Sequence, residues 1–469
     1  MTEINMKIHN RFIKTAVTLF VLFNAALLRA EVFEYDLDNG LKLLVKEDHR
    51  APVVVSQVWY KVGGSYEYDG ITGISHALEH MMFKGTEKYA PGEFSRIISE
   101  NGGRDNAFTG PDYTAYFQTL EKSRLEISFK LESDRMRNLT LPEEEFLKEI
   151  EVVKEERRWR TEDKPQSYLY EVANATAYQT SPYRFPVIGW MHDLDNMTID
   201  DLKDWYERFY APNNAIVVVV GDVNPEEVYA MAKKYFGPLP KGDPIVLAED
   251  MEVPQQGMKR VTVKRPAELP YLMMSYKVPS ETPDKIKEGE YDVEPYALEV
   301  LAGILDGVSA ARFSSRLVRG SEVAASAGAS YRMASRLDSL FSLSGTPATG
   351  KSIEDLEQAF RQQIEEIKTN PVSEEELQRV KAQVISSDVY EKDSVFYQAM
   401  ILGMLETMGL PWQLANTYVE RVKAVTADEV MAVAKKYFKD DRLTVAELEP
   451  LPLDGMAPRR APAGGARAH

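Results

Sequence analysis

Two of the six histidines in this sequence, His76 and His80, are four positions apart. At about 100° per residue of an α-helix, positions i and i+4 lie roughly 40° apart on one face, one turn apart. Two imidazoles so placed can bind one divalent cation. The chain has no cysteine, so any transition metal must be held by His, Asp or Glu. An incidental pair of histidines on a helix is the alternative.

Glu79 stands beside His80 and flanks the same helix face. A carboxylate in that position can accept a proton from a water whose pKa zinc lowers to about 7. The order His-Ala-Leu-Glu-His therefore predicts a hydrolytic site with Glu79 as general base. A zinc-storage protein would explain the two histidines but would leave Glu79 without a role.

A catalytic zinc takes a third protein ligand and keeps one coordination position open. The ligand is expected among the glutamates of a helix predicted at 142–160, because no other histidine has a comparable position. These glutamates are Glu143, Glu144, Glu145, Glu149, Glu151, Glu155 and Glu156. Most of them are expected on a solvated helix face, and their spacing alone does not choose the ligand.

The elements that position these residues follow from the pattern of apolar residues. The pattern predicts strands at 32–37, 41–46, 52–62, 104–109 and 113–120, and helices at 74–84, 91–101, 123–138 and 142–160. Proline and glycine are dense at 237–244 and recur as far as Pro254, which indicates a linker. The predicted division is an N-terminal zinc-bearing domain at 31–240, a linker at 241–256, a C-terminal domain at 257–452 and a disordered tail at 453–469.

A faint internal repeat relates the two halves of the chain. Thr198 begins the segment Thr-Ile-Asp-Asp-Leu and Thr426 begins Thr-Ala-Asp-Glu-Val, and each leads to an aromatic residue and then a β-branched strand. Any two helix–turn–strand units can look alike, which is the alternative to duplication. Duplication predicts an α+β fold of two similar domains, each a mainly antiparallel sheet covered by helices.

The net charge of the chain and its N-terminal residues predict its partners and its cellular location. A formal net charge of −17 repels phosphate backbones, so we expect no nucleic-acid partner. Lys7, Arg11 and Lys14 precede an apolar run at 15–28 that is shorter than the roughly 20 residues of a membrane-spanning helix. The prediction is a signal peptide at 1–30 and a periplasmic or secreted protein with no transmembrane span after its removal; a retained anchor is the alternative.

The segment from Gly73 to Thr86, Gly-Ile-Ser-His-Ala-Leu-Glu-His-Met-Met-Phe-Lys-Gly-Thr, resembles the signature of the pitrilysin-type (inverzincin) metallopeptidases, in the branch of the bacterial and mitochondrial processing peptidases. The resemblance implies a zinc endopeptidase with one Zn²⁺ per chain, acting on unfolded peptides in an enclosed chamber. The implied ligands are His76, His80 and Glu156, which lies 76 residues after His80. Glu149 is implied as a glutamate that supports catalysis without holding the metal.

Peptide substrates of this family bind in extended form, as an added strand at a sheet edge. The segment at 102–109 resembles the family's edge strand, so Asn106 and the backbone around Ala107 are implied to hold the substrate near the zinc. A polar residue beside a turn is the structural alternative for Asn106.

The second half of the chain departs from the family pattern. Val318 and Ala325 stand where family members usually carry a substrate-holding arginine and tyrosine, and Arg316, Arg319 and Tyr331 are the candidates to replace them. The chain is therefore predicted to act as a homodimer, or as a heterodimer with a zinc-less relative that supplies the Arg/Tyr pair. A non-catalytic assembly subunit of the same fold is the alternative to an enzyme.

Overall fold

Two sheets organise the chain in the computed structural model, which describes residues 31–247, 252–286 and 292–453. The strands of the first sheet are β1 (Val32–Asp36), β2 (Lys42–Glu47), β3 (Val53–Tyr60), β4 (Arg104–Thr109), β5 (Thr114–Glu121) and β6 (Ala215–Gly221). The strands of the second sheet are β7 (Lys259–Pro266), β8 (Tyr271–Val278), β9 (Ala324–Tyr331), β10 (Ser339–Pro347) and β11 (Leu443–Leu451).

The α-helices cover these sheets. Those of the first half are α1 (Ile74–Met81), α2 (Glu93–Glu100), α3 (Leu125–Arg137), α4 (Glu143–Arg157), α5 (Pro165–Ala177), α6 (Met191–Asn196), α7 (Ile199–Phe209) and α8 (Pro225–Tyr235). Those of the second half are α9 (Glu294–Leu305), α10 (Ile353–Thr369), α11 (Glu374–Lys392), α12 (Val395–Thr407), α13 (Leu414–Ala424) and α14 (Ala427–Tyr437). None of the helices in the described part of the chain has the length and apolar character needed to cross a bilayer.

The two sheets share one strand topology. Their orders are β1-β2-β6-β3-β5-β4 and β7-β11-β8-β10-β9. The pairs β2–β6 and β7–β11 are parallel and all other pairs are antiparallel. If β1 is left out and the strands of each half are numbered in chain order, both sheets have the strand order first, fifth, second, fourth, third. The predicted fold class, two similar α+β domains with mainly antiparallel sheets, is confirmed.

The repeated segments of the sequence occupy equivalent places in the two halves. Thr198 and Thr426 each form a capping box at the start of α7 and α14, with Asp201 and Glu429 respectively. A short 3₁₀ turn follows each helix and leads into β6 and β11. A capping box satisfies two backbone N–H groups that the first helical turn leaves without partners, so the same local chemistry begins the helix before the last strand of both halves.

One helix of each half packs on the sheet of the other half. Helix α5 packs on the second sheet, where Leu169 and Ala173 join Met273 in a buried cluster. Helix α12 packs on β3 and β6, where Leu402 contacts the cluster around Trp59. The remaining helices cover the opposite faces. Both faces of each sheet are therefore buried, and the halves interlock.

The helix limits differ from the predicted ones in two places that matter for the site. Helix α1 ends at Met81, earlier than the predicted 74–84, and α4 continues as a π-helical turn at Arg158–Glu162. The predicted signal peptide lies outside the described residues, and so does the tail from 454 onward. The domain limits at 31–240, 241–256 and 257–452 stay a prediction.

Candidate metal centre and active site

The start of helix α1 is held by a buried carboxylate. Glu67 Oε2 accepts the backbone N–H of Gly73 at 2.7 Å, and its Oε1 accepts that of Ser75 at 2.9 Å. Gly73 has φ 86°, and a Cβ there would lie 2.7 Å from the carbonyl oxygen of Ile188. Only glycine fits such a left-handed residue in so close a contact. The helix therefore begins at one defined residue, which sets the direction of the side chains that follow.

Helices α1 and α4 bring three potential metal ligands together. His76 Nε2 lies 3.8 Å and His80 Nε2 lies 3.4 Å from Glu156 Oε2. One ligand atom from each residue falls within 4.8 Å of the others. Two imidazole nitrogens and one carboxylate oxygen form a donor set suited to zinc, with a coordination position left for water or substrate. The residues present thus fit the metal that the sequence motif predicts.

The pKa values at this cluster show why it suits a cation. Burial and the neighbouring His80 lower the pKa of His76 to about 3, so its ring is neutral and can act as a ligand. Burial opposes charge on His80, but hydrogen bonds with Glu149 and Glu156 outweigh it and raise the His80 pKa to about 9. Burial likewise opposes charge on Glu156, yet His80, His76 and Arg160 lower its pKa to about 2. The carboxylates attract positive charge, and metal binding would replace the proton on His80.

A second layer of side chains holds the ligands. His80 Nδ1 donates to Glu149 Oε1 at 3.0 Å, and Lys84 Nζ pairs with Glu149 Oε2 at 2.5 Å. Arg160 Nη1 pairs with Glu156 Oε1 at 2.8 Å, leaving Oε2 directed to the histidines. A hydrogen bond on the second ring nitrogen fixes the tautomer and orientation of a ligand histidine. Sequence reasoning missed Lys84 and Arg160, because charged residues on helices usually face solvent.

Glu79 lies beside the cluster and is only 8% exposed. Its Oε2 accepts a hydrogen bond from Thr109 Oγ1, at the end of β4. Burial raises the pKa of Glu79, while the Thr109 hydroxyl and His80 oppose the shift. A buried carboxylate with a raised pKa is a better proton acceptor than a solvated one. Thr109 is a third residue that the sequence did not indicate.

The residues predicted to hold substrate lie on β4, at the edge of the first sheet. Asn106 pairs with Phe117 and Ala107 with Tyr116 of β5. Asn106 Oδ1 accepts the N–H of its neighbour Ala107 at 2.8 Å. The strand that carries these two residues also ends at Thr109, so the sheet edge and the Glu79 carboxylate are directly connected.

The candidate substitutes for the absent Arg/Tyr pair have contacts within the second half. Arg316 Nη1 pairs with Glu366 at 2.8 Å, Arg319 donates to the carbonyl of Ser309, and Tyr331 donates to the carbonyl of Pro279. Val318 is half-buried in a π-helical turn and Ala325 is exposed on β9. Nothing in these contacts directs the three candidates toward the metal cluster.

Comparison with known proteins gives matches along most of the chain. Residues 42–189 match the family described as Insulinase (Peptidase family M16), and residues 196–384 match the Peptidase M16 inactive domain. The zinc protease PqqE of Helicobacter pylori is 33% identical over 423 residues, covering 88% of this chain and 92% of that protein. An uncharacterised zinc protease of Bacillus subtilis, YmxG, is 24% identical over 410 residues, covering 87% of this chain and 96% of that protein.

Solved structures share the fold. The crystal structure of a protease from Helicobacter pylori has a TM-score of 0.83 and 30% identity, covering 90% of this chain and all of that one (100%). The periplasmic protease PqqL of Escherichia coli has a TM-score of 0.75 and 19% identity, covering 90% of this chain and 48% of that chain. The second likeness shows that a fold of this size recurs as about half of a longer protein.

Proposed function

Because the chain belongs to peptidase family M16, the insulinase family of zinc proteases, we propose that it is a zinc endopeptidase acting on unfolded peptides through His76, Glu79 and His80. One observation carries this proposal: the ligand atoms of His76, His80 and Glu156 converge within 4.8 Å, with the buried carboxylate of Glu79 beside them. A metal-storage site would not need that carboxylate.

The residues around the cluster have separate tasks in this reaction. Bound zinc supplies a Lewis acid that polarises the scissile carbonyl and makes a nearby water more acidic. His76, His80 and Glu156 hold one ion per chain. Glu79 accepts the proton of the attacking water and delivers it to the departing amine. Thr109 holds one oxygen of Glu79, so the other is free to meet the water.

The edge strand indicates how a peptide substrate binds, and the family pattern indicates which partners the chain has. An extended peptide would pair with β4 near Asn106 and Ala107, because a sheet edge offers backbone groups to an added strand. The absence of an Arg/Tyr pair at Val318 and Ala325 favours a dimer, either with a second copy or with a zinc-less relative that carries the pair. The likeness to half of a periplasmic protease supports both this assembly and a periplasmic or secreted location.

A non-catalytic assembly subunit is the second candidate. It is favoured by the match of residues 196–384 to a domain described as inactive. That match covers the second half, whereas the metal cluster and Glu79 lie in the first. A subunit without catalysis would have no use for a carboxylate held buried beside three metal ligands.

Replacing the base separates the two candidates. Glu79→Gln should keep its zinc and lose peptide hydrolysis by at least about 100-fold, because a general base contributes roughly 10² to 10⁴ in rate. The control is Glu155→Gln on α4, whose carboxylate is half exposed and pairs with Arg158 at 3.0 Å; its activity should be unchanged. Zinc content by elemental analysis and turnover of an unstructured peptide are measured together. Equal turnover in Glu79→Gln and native protein would contradict the assigned base.

A further inference from the structure

A cavity of about 680 Å³ lies between α9, α11, α12, α13 and the edge strand β9 of the second half, and Val32, Lys46, Asp112 and Tyr113 of the first half complete its wall. Its volume is typical of sites for small organic ligands, which are roughly 300–1,000 Å³ and mostly apolar. Aliphatic side chains form much of its wall: Ala302, Val380, Ile401, Met404, Leu405 and Leu414. The proposed peptidase reaction uses none of these residues.

Two carboxyl groups lie among these apolar walls without full partners. Glu299 of α9 lines the cavity, and no hydrogen bond or ion pair involves its side chain within the described ranges 31–247, 252–286 and 292–453. Burial raises its pKa to about 7. Glu281 is only 1% exposed, and its Oε1 is buried with no hydrogen-bond partner among the residues that the structure describes. An unpaired buried polar group costs folding free energy, so both carboxyls would gain from a ligand that donates hydrogen bonds.

Aromatic rings line the same cavity. Tyr331 and Tyr418 belong to its wall together with Glu299, and the charge of Glu299 raises the pKa values of both phenols in addition to the effect of burial. The faces of tyrosine rings attract cations. A positively charged group beside Glu299 would therefore meet favourable charge from the carboxylate and from the rings.

The basic side chains of the cavity do not neutralise Glu299. Lys46, Arg332 and Lys392 line it, and Lys392 Nζ already pairs with Asp388 at 2.7 Å. Arg421 donates to Tyr296 at 3.0 Å and lowers the pKa of Glu281, although burial raises that pKa overall. Among the described residues, Glu299 therefore has no cationic partner for its negative charge.

We propose that this cavity is a binding site for a small organic amine, with the ammonium group at Glu299 and the apolar body against Met404 and Leu405. An ammonium group offers three N–H donors, which suits a carboxyl with unused acceptors. An anion would be repelled by the carboxylates, and a neutral ligand would leave the charge of Glu299 unmet.

Paired ligands that differ only in charge test this inference on the native full-length chain. Isothermal titration calorimetry should show benzylamine binding at least tenfold more tightly than benzyl alcohol, its neutral counterpart of similar shape. Absence of benzylamine binding, or equal affinity for the two compounds, would overturn the proposal. This comparison needs no variant, so it does not depend on the folding of a mutant.

A charge-removing variant locates the binding. Glu299→Gln should weaken benzylamine at least tenfold and bring its affinity close to that of benzyl alcohol. Its matched control is Glu420→Gln on α13, whose carboxylate is largely exposed and pairs with Lys423; it should bind benzylamine as the native chain does. If Glu299→Gln bound benzylamine with native affinity, the amine would sit elsewhere and the inference would be wrong.

Discussion

At the scale of single residues, the candidate metal cluster depends on one carboxylate, Glu149, that is not among its three proposed ligands. Glu149 contacts His80 on the ring nitrogen opposite Glu156, and Lys84 contacts the other oxygen of Glu149. Burial opposes charge on Glu149, but His80 and Lys84 lower its pKa to about 2, so it remains a carboxylate. It therefore orients the ligand ring through a charge-assisted hydrogen bond.

Removing the charge of Glu149 should weaken zinc binding. Glu149→Gln keeps an oxygen that can accept from His80 but loses the negative charge, and second-layer changes of this kind cost roughly 10- to 100-fold in metal affinity. Titration against a competing chelator measures the change. Glu151→Gln on the same helix, where the carboxylate is exposed and pairs with Lys154, should bind zinc as the native chain does. Equal affinity in all three proteins would show that Glu149 does not position His80.

Residue spacing alone predicted part of this site, for a clear physical reason. His76, Glu79 and His80 belong to one helix, whose periodicity fixes their relative directions. Glu156 is on another helix, and its approach depends on how α4 packs beside α1, which spacing cannot show. Only the family resemblance singled it out. Thr109 stayed unnoticed because nothing local to a strand end indicates a contact with a distant glutamate.

At the scale of elements, strand β4 links substrate binding to the base. Asn106, Ala107 and Thr109 are on one strand, which pairs only with β5 within the described sheet. A peptide that pairs with its free edge would contact the element that holds Glu79. The side chain of Thr109 is therefore expected to act as a positioning residue.

Replacing the Thr109 hydroxyl should slow catalysis without affecting the metal. Thr109→Val has nearly the same shape, so the strand should be kept, while a hydrogen bond to a charged group worth roughly 1.5–3 kcal/mol is lost. We expect kcat to fall about tenfold, with KM and zinc content close to native. Thr109→Ser, which retains the hydroxyl, should restore most of the rate. A native kcat in Thr109→Val would exclude this role.

At the scale of the whole molecule, exchanged helices join the two halves. Gly403 of α12 lies against Trp59 so closely that a Cβ there would be 2.2 Å from Trp59 Nε1. The residue pattern of a helix does not say which sheet the helix covers. The exchange was therefore not predictable from sequence, although the repeat of the two halves was.

A second connection between the halves is a single carboxylate, Glu252. It accepts the backbone N–H groups of Gln179, Thr180 and Ser181 at 2.8–3.0 Å and pairs with Lys277 of β8 at 2.5 Å. Burial opposes its charge, but these partners lower its pKa to about 2 from the ordinary 4.5. Glu252 lies within the predicted linker at 241–256 and thus fastens this segment to both halves.

The contribution of Glu252 to stability should depend on pH. Its pKa is lower in the folded than in the unfolded chain, so the stabilisation is fully present above about pH 4.5 and is lost as the pH falls toward about 2. Glu252→Gln should have a lower urea midpoint than the native chain at pH 7, and the difference should shrink on acidification. Glu268→Gln, at an exposed position in the loop after β7, serves as control. A difference that is independent of pH would contradict the charge-based explanation.

Anomalous diffraction at the zinc absorption edge can show whether one zinc ion binds between α1 and α4. A crystal of the zinc-loaded chain should show one strong peak per chain, roughly 2.0–2.2 Å from Nε2 of His76, from Nε2 of His80 and from a carboxylate oxygen of Glu156. A peak elsewhere, or no peak between these side chains after loading, would contradict the account.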